Sequence, residues 1–337
     1  MDVQNRTSRK VVIVGAGAVG ATFAYALTRE GMADEIVLND VNRDLAEGQI
    51  LDLAHGLPYV PSVKLRVGDA AEYADATVIV ITAGASQKPG ESRLDLLTKN
   101  AGIVRTIMDD IVDSGSRAVV VVVTNPVDVL TQIAIEQSGW DDGRIFGSGT
   151  VLDSARFRYL ISDCAGVNVS NVHAYILGEH GDSEIAAWSI SNVSGVAVGD
   201  FCPNCGRCAD WGETQARILQ QVRDSAYHII DYKGATYFAV GLALVRIVGA
   251  VLRNDSSVLT VSTKLHGEYK LEDVCLSVPC IVNANGISRI VDARLTEEEM
   301  TGLHQSAEVL TKQFQDLKDS SVALAESGDN CLMHQTL

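Results

Sequence analysis

The apolar positions of the first half of the chain fall into two alternating patterns. Four short runs, 11–14, 35–38, 77–81 and 118–123, are nearly continuous in apolar, mostly β-branched residues. Runs of that kind read as strands buried on both faces. Between them, 18–30, 45–53 and 94–112 carry apolar residues at three- and four-residue spacing, the mark of helices with one face in a core. Strands and helices alternating in this way predict a parallel sheet covered on both sides. From about residue 150 the pattern changes. A strand-like run at 172–177, a Cys-containing turn, helical stretches at 211–233 and 236–253, a hairpin-like 257–276 and a last helix predict an α+β unit. Thr296 with Glu299 three residues on has capping-box spacing and marks the start of that helix. Periodicity fades after Glu326, so 326–337 is expected to be a flexible tail. The expected fold is α/β: a doubly wound parallel sheet over 8–149, followed by an α+β domain over 150–320. No low-complexity linker separates them, so the two should pack directly.

The first strand runs into Gly15-Ala-Gly17-Ala-Val-Gly20 and then a helix. Gly15 suits the tight turn, Gly17 lets main chain approach a pyrophosphate, and Gly20 allows close packing of helix on strand. The phosphates would sit at the helix N-terminus, where unpaired N–H groups and the dipole favour negative charge. Asp40 follows twenty residues after Gly20, at the end of the next strand. A carboxylate there accepts from both ribose hydroxyls and repels a 2′-phosphate, selecting NAD over NADP. The glycine pattern also decides how to read 11–28, which is uncharged and follows Arg6, Arg9 and Lys10. A hydropathy window could take it for an export signal; the glycine spacing makes it the strand and helix of a cofactor site.

Composition narrows the possibilities further. With 47% hydrophobic and 21% charged residues, the chain can bury a full core, which excludes disorder. Lys plus Arg number 27 against 43 Asp plus Glu, a net charge of −16, which argues against nucleic-acid phosphates and anionic membranes as partners. Seven cysteines, an odd number, suggest reduced thiols and a cytoplasmic setting.

Five motifs stand in order: GAGAVG with Asp40, TAGASQKPGESR at 82–93, VTNPVD at 123–128, LDSARFR at 152–158 and GEHGD at 178–182. Together they resemble the L-lactate dehydrogenase family, bacterial in type, from about residue 10 to about 315. The resemblance implies an NAD-dependent oxidoreductase working in fermentative glycolysis, (S)-lactate + NAD⁺ ⇌ pyruvate + NADH + H⁺. It implies that His180 is the general acid/base and Asp153 its orienting partner. A carboxylate on one ring nitrogen fixes the tautomer, so the other can exchange a proton with substrate oxygen. Arg156, three residues after Asp153, shares its helix face and would grip the substrate carboxylate bidentately. Arg93 closes a Gly- and Pro-containing loop and would polarise the reacting carbonyl. Asn125 would hydrogen-bond substrate beside the nicotinamide. Val19, Gly84, Thr106 and Ser148 join Gly15, Gly17, Gly20, Asp40 and Asn125 as implied cofactor contacts.

Gln87 stands where malate-specific relatives carry Arg. A neutral side chain leaves the second carboxylate of oxaloacetate unpaired in a closed site, which favours pyruvate. Lys88 beside it would reach substrate only in a loop register shifted by one. Thr236 resembles the residue that limits substrate side-chain volume. A malate or broader 2-hydroxy-acid dehydrogenase stays open, as does, more distantly, an NAD-dependent glycosidase. Cys202, Cys205 and Cys208 form Cys-x2-Cys-x2-Cys in a turn; reduced thiols and a metal or redox role are both open, with neither a fourth Cys nor a His nearby. Arg158 should point away from Arg156 on its helix. The resemblance implies that Arg158 and His173 bind fructose 1,6-bisphosphate across a two-fold axis of a homotetramer, as an allosteric site.

Overall fold

The computed structural model describes residues 9–85, 90, 92–140, 142–207 and 210–332. Gln87, Lys88, Cys208 and 333–337 lie outside the described residues, as do the side chains of 321–332, so the expectations for the loop side chains and the third cysteine fall there; of the tail expected over 326–337, residues 326–332 instead continue the last helix and only 333–337 fall there.

Six strands and four helices alternate through the first half: β1 (Lys10–Val14), α1 (Ala18–Glu30), β2 (Glu35–Asn39), α2 (Arg43–His55), β3 (Lys64–Val67), β4 (Val78–Ile81), α3 (Arg93–Asp113), β5 (Val119–Val122), α4 (Val127–Ser138) and β6 (Ile145–Gly147). All six pair in parallel, in the order β3-β2-β1-β4-β5-β6. Because helices cover both faces, the middle of the sheet is dry: Val11, Val12, Ile13, Val78, Ile79, Val80 and Ile81 have no exposed surface. The strand order reverses beside β1, so the carboxyl ends of β1 and β4 frame a crevice, the standard ligand position of such sheets. β3 was not anticipated. It is a four-residue edge strand whose Lys64 and Arg66 interrupt the apolar pattern, as exposed edges require.

The second half comprises α5 (Val151–Ala165), β7 (Val172–His173), β8 (Ile176–Leu177), β9 (Ile185–Ala186), β10 (Asn192–Val193), β11 (Val196–Ala197), α6 (Val198–Asn204), α7 (Trp211–Lys233), α8 (Phe238–Arg253), β12 (Ser257–His266), β13 (Glu272–Asn283), β14 (Gly286–Ile290) and α9 (Glu297–Leu332). The run expected as one strand over 172–177 is two. β7 pairs with β10 and β8 with β9, so the extended path changes partner midway. The expected hairpin is a longer meander, β12-β13-β14, with β12 bridged to β6 through Ser262 and Gly147. Pro279 inside β13 masked its continuation, since proline cannot donate to a ladder; β14 pairs only from Cys280 onward. A second core cluster joins Phe157, Ile161, Val172, Val193, Cys202, Ile218 and Val222. Trp188 meets Phe157 edge-on at 4.6 Å and Trp211 at 5.4 Å.

The halves share more than a contact. α8 packs on α1, where a Cβ on Gly241 would stand 3.1 Å from the Thr22 side chain. The last helix opens as the spacing predicts: the Glu299 N–H donates to Thr296 Oγ1 at 3.2 Å, and the Thr296 N–H donates to the Glu299 carboxylate at 2.9 Å. Among the described residues, no helix is long and apolar enough to cross a membrane.

Candidate active site

The turn between β1 and α1 is shaped by what its glycines exclude. Gly15 has φ +111°, and a Cβ there would stand 2.7 Å from the Ala83 nitrogen. A Cβ on Gly20 would lie 1.9 Å from the Gly15 carbonyl oxygen, so helix and turn can meet only without one. Gly17 is the opposite case: nothing lies within 4 Å of its Cβ position, and it caps α1 with no side chain over the first-turn N–H groups. That open main-chain surface at a helix N-terminus fits a pyrophosphate. Asp40 holds the crevice edge, accepting from the Ala16 N–H at 2.6 Å and the Asn42 N–H at 2.8 Å. Each oxygen keeps a second lone pair for a ribose hydroxyl.

Across the crevice, Gly84 sits so close to Thr124 that a Cβ would come within 2.4 Å of its methyl group. Asn100, 2% exposed, ties the two loops: its Nδ2 donates to the Asn125 carbonyl at 3.0 Å and its Oδ1 accepts from the Ala85 N–H at 2.8 Å. Sequence reasoning passed over Asn100, a lone polar residue on the buried face of α3.

His180 follows the end of β8, and α5 brings Asp153 to it: His180 Nδ1 and Asp153 Oδ2 are 2.5 Å apart. Asp153 is 2% exposed and also accepts at Oδ1 from Arg156 Nη1, at 2.7 Å. The Asp153 charge pushes the His180 pKa up to about 9, against the opposing effect of burial. Burial works to raise the Asp153 carboxyl, but the His180 and Arg156 charges outweigh it and hold the carboxyl below its usual range. The imidazole backbone is anchored too. Asp128, buried at the head of α4, accepts from the His180 N–H at 2.8 Å, and burial pushes its own pKa up to about 6. Asp128 lies inside the VTNPVD motif but was not singled out; only the fold reveals its target, 52 residues away.

A cavity of ≈ 170 Å³ gathers Val19, Asn125, Ser148, Arg156, His180 and Thr236. Six residues expected from separate stretches of the chain thus meet at the junction of the two halves. A wider cavity of ≈ 650 Å³ opens from His180 toward Arg93, Asn125, Asp182 and Tyr227. Arg93 is the first residue of α3 and exposed; Ser92 before it forms a capping box with Asp95, which fixes where the loop ends. Thr106 is the exception. It is exposed midway along α3, donates its hydroxyl to the Gly102 carbonyl, and lines neither cavity that holds His180. Arg158 and His173 line a separate cavity of ≈ 570 Å³ with Arg246, and Arg158 Nε donates to the Val172 carbonyl at 2.8 Å. Cys202 is fully buried in the second core and Cys205 is half-buried; among the described residues, no group of three or more His, Cys, Asp or Glu is placed to hold a metal ion.

Residues 9–147 match the NAD-binding domain model of lactate/malate dehydrogenases, and 150–320 match the model of their α/β C-terminal domain. The chain is 54% identical to an L-lactate dehydrogenase of Treponema denticola over 310 residues, 92% of this chain and 98% of that one. It is 47% identical to an L-lactate dehydrogenase of Acetivibrio thermocellus, covering 91% and 96%. Among solved structures, a lactate dehydrogenase from a Medee basin deep-sea metagenome library superposes with TM-score 0.90 at 42% identity, covering 93% of this chain and 100% of that one. The ligand-bound minor L-lactate dehydrogenase of Enterococcus mundtii superposes with TM-score 0.89 at 43% identity, covering 92% and 98%.

Proposed function

The chain belongs to the lactate/malate dehydrogenase family of NAD-dependent oxidoreductases, and we propose that it interconverts (S)-lactate and pyruvate. The observation that carries this reading is the His180–Asp153 pair at a cavity also lined by Arg156, Asn125 and Thr236. Bound NAD supplies the hydride acceptor and NADH the donor; everything else falls to side chains. Nδ1 faces Asp153, so Nε2 holds the proton that passes to the substrate oxygen during reduction and takes it back during oxidation. Asp153 stabilises the imidazolium and keeps it aligned. Arg156 spends one donor on Asp153, and its fork has others for the substrate carboxylate. Arg93 stands at the mouth of the wider cavity, where its charge would meet the developing alkoxide.

Specificity rests on Gln87, a neutral residue where oxaloacetate requires a cation, and on Thr236 in the cavity wall. kcat/KM over a panel of 2-oxo acids tests this. Pyruvate should exceed oxaloacetate by about a hundredfold or more, the cost of an unpaired carboxylate in a closed site. A preference for oxaloacetate would instead make this a malate dehydrogenase. Similarity over nine-tenths of the chain to L-lactate dehydrogenases leaves the glycosidase reading without support.

The proposal extends to assembly, effector and setting: a cytoplasmic homotetramer of fermentative glycolysis, activated by fructose 1,6-bisphosphate. Two arginines, Arg158 and Arg246, line one cavity with His173 on an otherwise acidic protein, which suits a bisphosphate. A two-fold axis there would double the arginines, and ligand would relieve their repulsion. Pyruvate saturation with and without millimolar effector, repeated with Arg158→Gln, decides it. Activation lost in the variant supports the site; identical curves for the parent remove the effector and leave the catalytic reading intact.

A further inference from the structure

Glu184 is a carboxyl the reaction as described does not use. It lies four residues after His180, just before β9, and is 2% exposed. Its Oε1 has no hydrogen-bond partner. From α7, Arg223 reaches the Glu184 main-chain carbonyl through Nη2 at 2.6 Å, while its buried Nε stays unpaired. The charged and titratable groups acting on Glu184 come from three elements: Asp153 and Arg156 on α5, Arg223 on α7, and His180 on its own loop. Burying a carboxyl without full hydrogen bonding costs stability. The position places a third acid, after Asp153 and Asp128, within electrostatic reach of one imidazole.

We propose that Glu184 is a positioning residue for proton transfer: a buried, unpaired carboxyl four residues from His180 that sustains the protonated state of His180 as the medium becomes alkaline. This inference rests on the reading of His180 as the acid/base. Burial, and then the charge of Asp153, push the Glu184 carboxyl up to about 8. Below that pH Glu184 is neutral and leaves the Asp153–His180 pair undisturbed. Above it, the carboxylate adds to the field that holds the proton on His180. The direction of the effect follows from the signs. Pyruvate reduction needs His180 protonated, so an ionised Glu184 carries reduction to higher pH than Asp153 alone would.

The test is the pH profile of kcat/KM for pyruvate with Glu184→Gln, which keeps shape and removes the charge. The variant and parent profiles should coincide below about pH 7 and separate above it. The alkaline limb of the variant should fall about half a pH unit or more earlier, as expected when a nearby charge is removed. Glu184→Asp should restore the parent limb. Superposable profiles, or a uniform loss at every pH, would overturn the proposal, because a merely structural role lowers activity without moving the limb. If Glu184→Gln does not fold, difference infrared spectroscopy of the parent holoenzyme with labelled glutamate side chains provides the second measurement. A protonated glutamate band that bleaches near pH 8 supports the proposal, and its absence overturns it. His180→Asn keeps the failures apart: an active His180→Asn removes the reading beneath the inference, while an inactive one with unmoved Glu184→Gln limbs removes the inference alone.

Discussion

Two regions of this protein face the same crevice with opposite materials. Between β1 and α1 the surface is main chain: Gly17 looks into open space, and Gly15 and Gly20 are pressed against neighbouring backbone. At the end of β8 and the head of α5 it is buried charge, with Asp153 bonded to both His180 and Arg156. The main-chain surface has no titrating group of its own, so it should tolerate pH and reject volume. The charged surface should tolerate conservative changes of volume and reject changes of charge. Under the proposed function, one binds a cofactor common to both directions of the reaction, and the other changes protonation state with each turnover.

The largest expected effect tests the charged side. His180→Asn should lower kcat/KM for pyruvate at least about a hundredfold, the usual size of a lost general acid. NADH affinity, measured by fluorescence titration, should stay near that of the parent. A comparable loss of NADH binding would erase the division between the regions. Activity should also follow the His180 proton. Because Asp153 holds it to about 9, pyruvate reduction should fall about tenfold per pH unit above that value, while lactate oxidation, which needs the neutral imidazole, should rise below it and level off above it. The stability sign agrees. A histidine raised above its ordinary value contributes stability that is complete below about pH 6.5 and lost as pH rises through about 9.

The main-chain side is tested by paired substitutions. Gly20→Ala puts a Cβ 1.9 Å from the Gly15 oxygen and should cost about 1–3 kcal/mol, typical of overpacking, with weaker NADH binding. Gly17→Ala has room and should keep the denaturant midpoint near the parent's while still weakening NADH. Equal loss of stability in both would show that the open surface at Gly17 is not what binds. The smallest effect lies far from either region. Thr296→Ala removes the cap of α9 and should cost about 1 kcal/mol by denaturant unfolding, with kcat unchanged.

What could be read without coordinates was whatever a short stretch of chain decides. The strand–turn–helix cradle, Asp40 at the end of β2 and the cap of α9 each depend on residues that interact through local backbone geometry. The same holds for Arg156 and Arg158, two positions apart on one helix and so directed to different cavities. Periodicity failed where pairing was long-range. The run 172–177 changes partner between β7 and β8, and β13 continues through Pro279 because two neighbouring strands hold it.

The amino-acid sequence by itself determined the class of fold and the cofactor cradle, because both are encoded in spacing along a few turns of chain. Tertiary structure alone decided the electrostatics. Asp128 reaches the His180 backbone from 52 residues away, Asn100 ties Ala85 to Asn125, and Glu184 is buried within the field of Asp153. Proton affinity depends on what covers a group and which charges stand across from it. In this protein those neighbours come from α4, α5, α7 and the β8–β9 segment, and only the packed fold brings them together.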